Sequence, residues 1–335
     1  MKQIDIALHL KDKGAFPHRV STVRVLETHI SWVLLTGKYV YKVKKEVKFG
    51  RILDFSTLSL RKYFCQKEVM LNRPLCGKMY QGVVKVVKID HKFKFVNVKE
   101  HGKPLEFAVK MIEIPQRFRM DNLLRLRRIN SEILNLLIEN IVAFHRLACT
   151  NDTIAKFGSP HTMKSKIKEN FATLSEFTKT KSVFEKRLNQ FVSNNKELFA
   201  KRIETSRIRD IHGDLYMRNI FFFKGRFYMY DRIEFNDSLR YADVAEDVSF
   251  LAMDLDYHRR QDLRIYLIHQ YIRKSNDTTL INLIYFMMCY KACIRAKVSI
   301  FRSTELGNEN ENERQKCMTD AQSYFTLARK YLKLF

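Results

Sequence analysis

The residues best equipped for chemistry are His212, Asp214, Asn219 and Asp231. The first three share one stretch, His212-Gly213-Asp214-Leu215-Tyr216-Met217-Arg218-Asn219, and Asp231 follows two short apolar runs later. A carboxylate can take the proton from an attacking hydroxyl. An asparagine amide oxygen and a second carboxylate are hard donors that can hold Mg²⁺ on phosphate groups. Together these groups suit phosphoryl transfer. Taken singly, Asp214 and Asn219 read as turn formers before a strand, and Asp231 as a strand terminator. The ordered set points to chemistry where its members alone do not.

For the set to act together, the chain has to turn back on itself. Ile220-Phe221-Phe222-Phe223 reads as a strand, Lys224-Gly225 as a tight turn, and Phe227-Tyr228-Met229-Tyr230 as a second strand ending at Asp231. Such a hairpin is expected to set Asp231 beside Asn219 and Asp214. The spacing His-x-Asp-x-x-x-x-Asn is that of a kinase catalytic loop.

With these residues in view, the chain resembles the aminoglycoside phosphotransferase-like branch of the kinase-like fold. The matching segments are His212-Gly213-Asp214-Leu215 with Asn219, Asp231-Arg232-Ile233-Glu234, and Asp243-Val244-Ala245. It is similar in particular to uncharacterised members that also carry Glu27-Thr28-His29-Ile30-Ser31-Trp32-Val33, and the likeness spans nearly the whole chain. It implies a bilobal α+β fold, with a small β-rich N-lobe over residues 1–115 and a larger helical C-lobe over 116–335. It also implies a site in the cleft, and ATP (or GTP) and Mg²⁺ as cofactors.

The N-terminal pattern agrees with that expectation. A short helical pattern at Ile6, Leu8 and Leu10 ends near Gly14 and Pro17. Val20 to Leu26, Ile30 to Leu35 and Tyr39 to Val43 alternate as strands, with Gly37-Lys38 as a turn. The first turn, Glu27-Thr28-His29, lacks the glycines that cover phosphates in protein kinases. The Thr28 and Ser31 hydroxyls and nearby backbone amides are candidate substitutes.

Lys42 and Lys44 share a face of the third strand, because side chains alternate. Val40 precedes Lys42 by two positions and offers an apolar wall for adenine, so Lys42 is assigned to the phosphates. The alternative is a pair of solvated edge lysines. A helix from an N-cap at Ser56 to Arg73, closed by Pro74, carries the stripe Leu60, Phe64, Glu68, Leu71, Leu75. A carboxylate within an inward stripe needs a partner. The kinase-like fold pairs a helix glutamate with the strand lysine, a role Glu68 fits; the alternative is a glutamate at the stripe's edge reaching solvent. A hairpin of Val83 to Ile89 and Phe93 to Val98 turns at Asp90-His91. The strand Phe107 to Ile114 leads to the expected hinge, with backbone near Ile112 and Ile114 facing adenine.

Arg117 to Arg128 is basic and reads as a lobe boundary and solvated face. Ser131 to Ala148 is helical, with apolar positions at 134, 137, 141, 144 and 148; His145 beside them reads as a core histidine. Residues 160–206 read as polar helices. Asp243 and Glu246 form an Asp-x-x-Glu helix start, Asp243 as a cap and no catalyst, with Val248, Leu251 and Leu255 inward. Helices over Leu263 to Lys274, Leu280 to Phe301, and from the polar break Gly307–Glu313 to Leu334 complete the chain. No Gly-x-x-x-x-Gly-Lys-Ser/Thr loop is present.

The 335 residues, 46% hydrophobic with 10 Gly and 5 Pro, exclude a disordered chain. No apolar run approaches a membrane span, and the scattered cysteines suit a reducing cytoplasm. Cys289 and Cys293 lie one helical turn apart and read as core. A net charge of +25 favours anionic partners, though no RNA-binding motif accompanies it and nucleic acid is not the expected partner. The reading is Mg²⁺-assisted transfer of a phosphoryl group from ATP to a small-molecule hydroxyl. Asp214 is the base, His212 buttresses the loop, Asn219 and Asp231 hold metal, and Lys42 with Glu68 neutralises phosphate. The alternatives are a protein kinase, disfavoured by the lack of Asp-Phe-Gly and Ala-Pro-Glu, and a non-catalytic nucleotide- or nucleic-acid-binding protein of the same fold.

Overall fold

A computed structural model describes residues 3, 9–50, 52–174, 181–306 and 310–335. The expected helical pattern at Ile6 and Leu8 and part of the expected break at Gly307 lie outside these. The chain forms two compact units. One comprises residues 1–119 and 221–237, the other 120–220 and 238–335. The fold is α+β: a sheet dominates the first unit and helices the second.

In the first unit, β1 (Arg24–Glu27), β2 (Ser31–Leu35), β3 (Tyr39–Lys44), β6 (Tyr80–Ile89), β7 (Lys92–Asn97) and β8 (Glu106–Ile112) form one sheet. Its order is β1-β2-β3-β8-β6-β7 and every pairing is antiparallel. A short hairpin of β4 (Lys48–Phe49) and β5 (Leu53–Asp54) stands apart, a feature too brief for periodicity to mark. The β6–β7 turn is the expected Asp90-His91, both left-handed at φ 47° and 62°, in a two-residue loop that pairs Ile89 with Lys92.

Helix α1 spans Leu58–Cys76, its cap one residue later and its end three residues later than expected. Thr57 caps it, its hydroxyl accepting from the Leu60 amide at 3.2 Å, because the Ser56 hydroxyl is spent on Asp54 at 2.6 Å. Pro74 does not close the helix but sits inside its last turn, where its missing N–H costs one i→i−4 bond. Gly77, at φ 52°, ends it by donating to the Arg73 carbonyl. The buried face carries Arg61, Cys65, Glu68, Val69, Leu71, Asn72 and Cys76, so Glu68 lies inward while Leu60 and Phe64 are half-buried.

The division of the chain differs from the one expected. The boundary falls after Arg119, and the hairpin of β10 (Ile220–Phe223) and β11 (Arg226–Met229) belongs to the first unit from Phe221 onward. The reason is apolar packing. Phe221 is buried with Val69, Cys76, Tyr80 and Val109, and Phe223, Tyr228 and Tyr230 pack on that cluster. The Cys76 thiol donates to the Met229 carbonyl at 3.3 Å. The Lys224-Gly225 turn has φ 50° and 73°, the left-handed pair a two-residue hairpin needs.

The second unit is helical: α2 (Met120–Arg125), α3 (Ser131–Leu147), α4 (Asp152–Ala155), α5 (Pro160–Leu174), α6 (Lys181–Asn194) and α7 (Lys196–Glu204), then α8 (Ala245–Tyr257), α9 (Gln261–Ser275), α10 (Ile284–Glu305) and α11 (Glu311–Leu332). Helix α2 corrects the solvated reading of the basic segment, since it buries Met120, Leu123 and Leu124. Helix α8 is buried on every side from Ala245 to Asp256. The pair β9 (Ile208–Asp210) and β12 (Tyr241–Asp243) brackets the loop at 212–219. Among the described residues, no single helix is long and apolar enough to cross a membrane.

Candidate active site

In the first unit, five charged side chains of alternating sign run in a line. Lys42 Nζ lies 2.6 Å from Asp231 Oδ1 and 3.0 Å from Glu68 Oε1. Lys44 Nζ bonds the other Glu68 oxygen, Oε2, at 2.7 Å, and also bonds Glu234. Strand alternation sends both lysines to the same face, and one glutamate serves both. They differ in access: the Lys42 side chain is 11% exposed and that of Lys44 fully buried. Burial alone would push the Lys42 ammonium toward neutrality, but Asp231, Glu68 and Glu234 outweigh it and hold its pKa well above the ordinary lysine value. Lys44 is raised for the same reason, chiefly by Glu234 against burial. Burial pushes the Glu234 carboxyl up, with Lys44 pulling it back.

Two features pin this line. Asn72, one turn after Glu68, donates to the Glu68 carbonyl at 2.9 Å and accepts from the Arg232 amide at 2.9 Å. Asp231 itself has φ 65°, a left-handed conformation that side chains rarely adopt and that recurs at functional positions. Farther along α1, Arg61 forks onto Glu106 of β8 with its Nε 3.0 Å from both carboxylate oxygens.

In the second unit, the loop at 212–219 is built on the acids of α8. The Asp247 carboxylate accepts from the amides of His212 at 2.8 Å and Gly213 at 3.0 Å, and also pairs with the His145 ring at 3.2 Å. Burial would raise this carboxyl, but the His145 and His212 contacts outweigh it and hold it below the usual range. Gly213 has φ 86°, which its missing Cβ permits. His212 is buried, and its Nδ1 accepts from the Asp214 amide at 3.3 Å, which requires that nitrogen to be unprotonated. Asn219 Nδ2 donates to the Asp214 carbonyl at 3.0 Å and to Asp214 Oδ2 at 2.9 Å. The amide nitrogen of Asn219 is thus committed to Asp214. Asp254, one helical repeat beyond Asp247, accepts from the Met217 amide at 2.9 Å, and burial raises its pKa.

The remaining expected site residues are placed as follows. The Thr28 hydroxyl closes its own turn, accepting from the Ser31 amide at 2.9 Å and donating to the Ser31 carbonyl at 3.0 Å. The Ser31 hydroxyl is buried without a hydrogen-bond partner among the described residues. The Thr28 hydroxyl is thus engaged in its own turn. Ile112 ends β8 half out in solvent, and Ile114 is buried in the core cluster with Val40. Asp243 partly caps α8 by accepting from the Ala245 amide at 2.8 Å, but its principal partner is the buried Arg202, whose Nε lies at 2.7 Å. Cys289 and Cys293 are buried in α10 as core residues. The sequence reading missed Lys44–Glu234, Asn72, Asp247 and Asp254. A signal existed for the last two: carboxylates seven apart on a helix of mostly apolar residues need polar partners inside the fold.

No family model matches the chain. It is 31% identical over 290 residues to uncharacterised proteins of Mycobacterium tuberculosis (Rv2004c) and Mycobacterium bovis (Mb2027c), covering 84% of this chain and 56% of theirs. The chain thus spans about half the length of the curated relatives it matches. Among solved structures it is similar to a choline/ethanolamine kinase family protein of Mesorhizobium loti, with TM-score 0.52 and 9% identity, covering 99% of this chain and 100% of that one. It is likewise similar to a choline kinase of Cryptosporidium parvum, with TM-score 0.51 and 9% identity over 99% and 97%. An ethanolamine kinase of Plasmodium vivax has TM-score 0.50 and 11% identity over 91% and 81%. At these identities the likeness is one of fold.

Proposed function

We propose that this protein is a phosphotransferase that moves the terminal phosphoryl group of ATP to the hydroxyl of a small molecule. The observation that carries the reading is the Asp231–Lys42–Glu68 line, in which three segments remote in sequence converge on one ammonium group. Burying such a charge is unfavourable unless it has work to do or partners to neutralise it. Here a partner glutamate holds it and a left-handed aspartate meets it, an arrangement that supports phosphate neutralisation by Lys42.

The donor set suits Mg²⁺. An asparagine oxygen and a carboxylate are hard ligands of the kind this ion takes together with nucleotide phosphates and water. Asp231 would be a ligand of the ion, which when bound neutralises charge on the transferring phosphoryl group, and Asn219 is a hard donor of the same kind. Asp214 would orient the acceptor hydroxyl and take its proton, the Asn219 amide steadying the carboxylate. His212 would shape the loop through the Asp214 amide and transfer no proton. Lys44, sealed between Glu68 and Glu234, would hold Glu68 and leave phosphate contact to Lys42.

The reading is tested by incubating the protein with Mg·ATP and fractionated metabolite pools and following ADP release and an acceptor mass gain of one phosphoryl group. Turnover that vanishes in Asp214→Asn supports it. ADP release that survives Asp214→Asn unchanged, or no nucleotide binding at all, overturns it.

A further inference from the structure

Helix α10 presents one arginine that the rest of the second unit does not account for. Arg295 Cζ lies 4.8 Å from the ring centroid of Tyr216 and 5.7 Å from that of Tyr324. Each ring is itself backed by another. Tyr216 stacks on Phe250, with centroids 5.2 Å apart and planes 9° from parallel, and Tyr324 stacks on Tyr257 at 4.5 Å and 17°. The guanidinium thus fills an aromatic box.

The buried arginines of this unit have carboxylate partners: Arg202 has Asp243 and Asp277, Arg264 has Asp256, and Arg240 has Asp210, whereas Arg295 is half-buried. For Arg295 no carboxylate stands within ion-pair distance among the described residues, and its Nε is buried without a hydrogen-bond partner. Aromatic faces compensate part of a cation's desolvation but accept no N–H of the guanidinium fork. The Tyr324 hydroxyl meets one N–H of the fork, and the Nε–H left without a partner matches an oxygen of a carboxylate or phosphate.

Its position ties it to the chemistry. Tyr216 belongs to the 212–219 loop, two residues beyond Asp214, and the Asp214 carboxylate contributes to the charge balance of the guanidinium. The acids that a cationic acceptor would need are already engaged. Asp254 holds the Met217 amide, and Asp256 bonds Arg264 at 2.9 Å and the Tyr331 hydroxyl at 2.8 Å. In the first unit, Glu234 is bonded to Lys44 and Asp237 to Lys67.

We propose that Arg295 selects the acceptor, and that the acceptor is an anionic alcohol carrying a carboxylate or a phosphate beside the reacting hydroxyl. The inference rests on the phosphotransferase reading above and specifies its substrate class. A quaternary ammonium or polycationic acceptor would meet a resident cation in the aromatic box, and its own charge would be repelled.

The test uses the full chain saturated with Mg²⁺ and a non-hydrolysable ATP analogue. Thermal shift and calorimetry are run with malonate, inorganic phosphate, choline and kanamycin as probes, on the wild type, Arg295→Met and Arg295→Lys. Malonate or phosphate should raise the wild-type melting temperature, with affinity lost by about 100-fold in Arg295→Met and about 10-fold in Arg295→Lys, which keeps the charge without the fork. A carboxylate-selective response assigns hydroxy acids, and a phosphate-selective one phosphorylated alcohols. If Arg295→Met does not fold, the Arg295→Lys comparison decides alone. Anion affinities equal in wild type and Arg295→Lys, or stabilisation by choline or kanamycin alone, overturn the proposal while leaving phosphotransfer intact. Failure to bind the ATP analogue defeats the parent reading, and this one with it.

Discussion

Asp214 and Asp231 are both aspartates near a turn, yet their surroundings give them different expected roles. Asp214 is braced by the Asn219 amide, whereas Asp231 meets an ammonium group. Asp214→Asn should lower turnover roughly 10³-fold or more while leaving Mg·ATP affinity within a few-fold. Asp231→Asn should instead weaken Mg²⁺-dependent nucleotide binding, and calorimetry on both variants reads the difference. Reversed effects would exchange the two assignments. The lysines separate in the same way. Lys42→Met should abolish most turnover. Lys44→Met should act mainly on stability, by about 3–5 kcal/mol, because it strands two buried carboxylates. Paired melting temperatures and kcat values decide it, and equal losses of both in the two variants would refute the division of labour.

At the scale of elements, buried acids tie helices together. Glu246 of α8 bonds Lys291 of α10 at 2.7 Å and Lys166 of α5 at 3.1 Å. Burial raises its pKa, but the two lysines outweigh this and hold it at about 2. A carboxyl depressed on folding stabilises the fold above its unfolded pKa, near 4.3, and that contribution is lost as pH falls toward the folded value. The contribution at neutral pH is roughly 3 kcal/mol. Denaturant unfolding of the wild type should therefore show stability dropping between about pH 4.5 and pH 2. Glu246→Gln should be less stable at pH 7 and shallower across that range; an unchanged acid limb would mean the three helices are not joined through this charge.

Across the whole molecule, a net charge of +25 creates a field that concentrates anions at any salt low enough for it to persist. Stopped-flow association of a fluorescent ATP analogue should slow several-fold between about 0.05 and 0.3 M salt, with dissociation little changed. A short RNA tested alongside should be released by about 0.2 M salt, where Mg·ATP stays bound. RNA that outlasts the nucleotide would favour the nucleic-acid-binding alternative.

Much of this was legible in the residues themselves. The loop His212 to Asn219, the hairpin ending at Asp231, the strand alternation that puts Lys42 and Lys44 on one face, and the inward Glu68 all follow from local spacing, because turns, strands and helices have fixed short periods. What periodicity cannot carry is which distant groups neutralise one another. The partnership of Lys44 with Glu234, the grip of Asp247 on the loop amides, and the aromatic box around Arg295 join residues 29 to 190 positions apart. The helix ends were likewise settled outside the local pattern, where Asp54 claimed Ser56 and left Thr57 to cap. The assignment of the 221–237 hairpin to the first unit was decided by where Phe221 and its neighbours found apolar cover. Burial and charge pairing are properties of the closed chain, so only the tertiary structure could decide them.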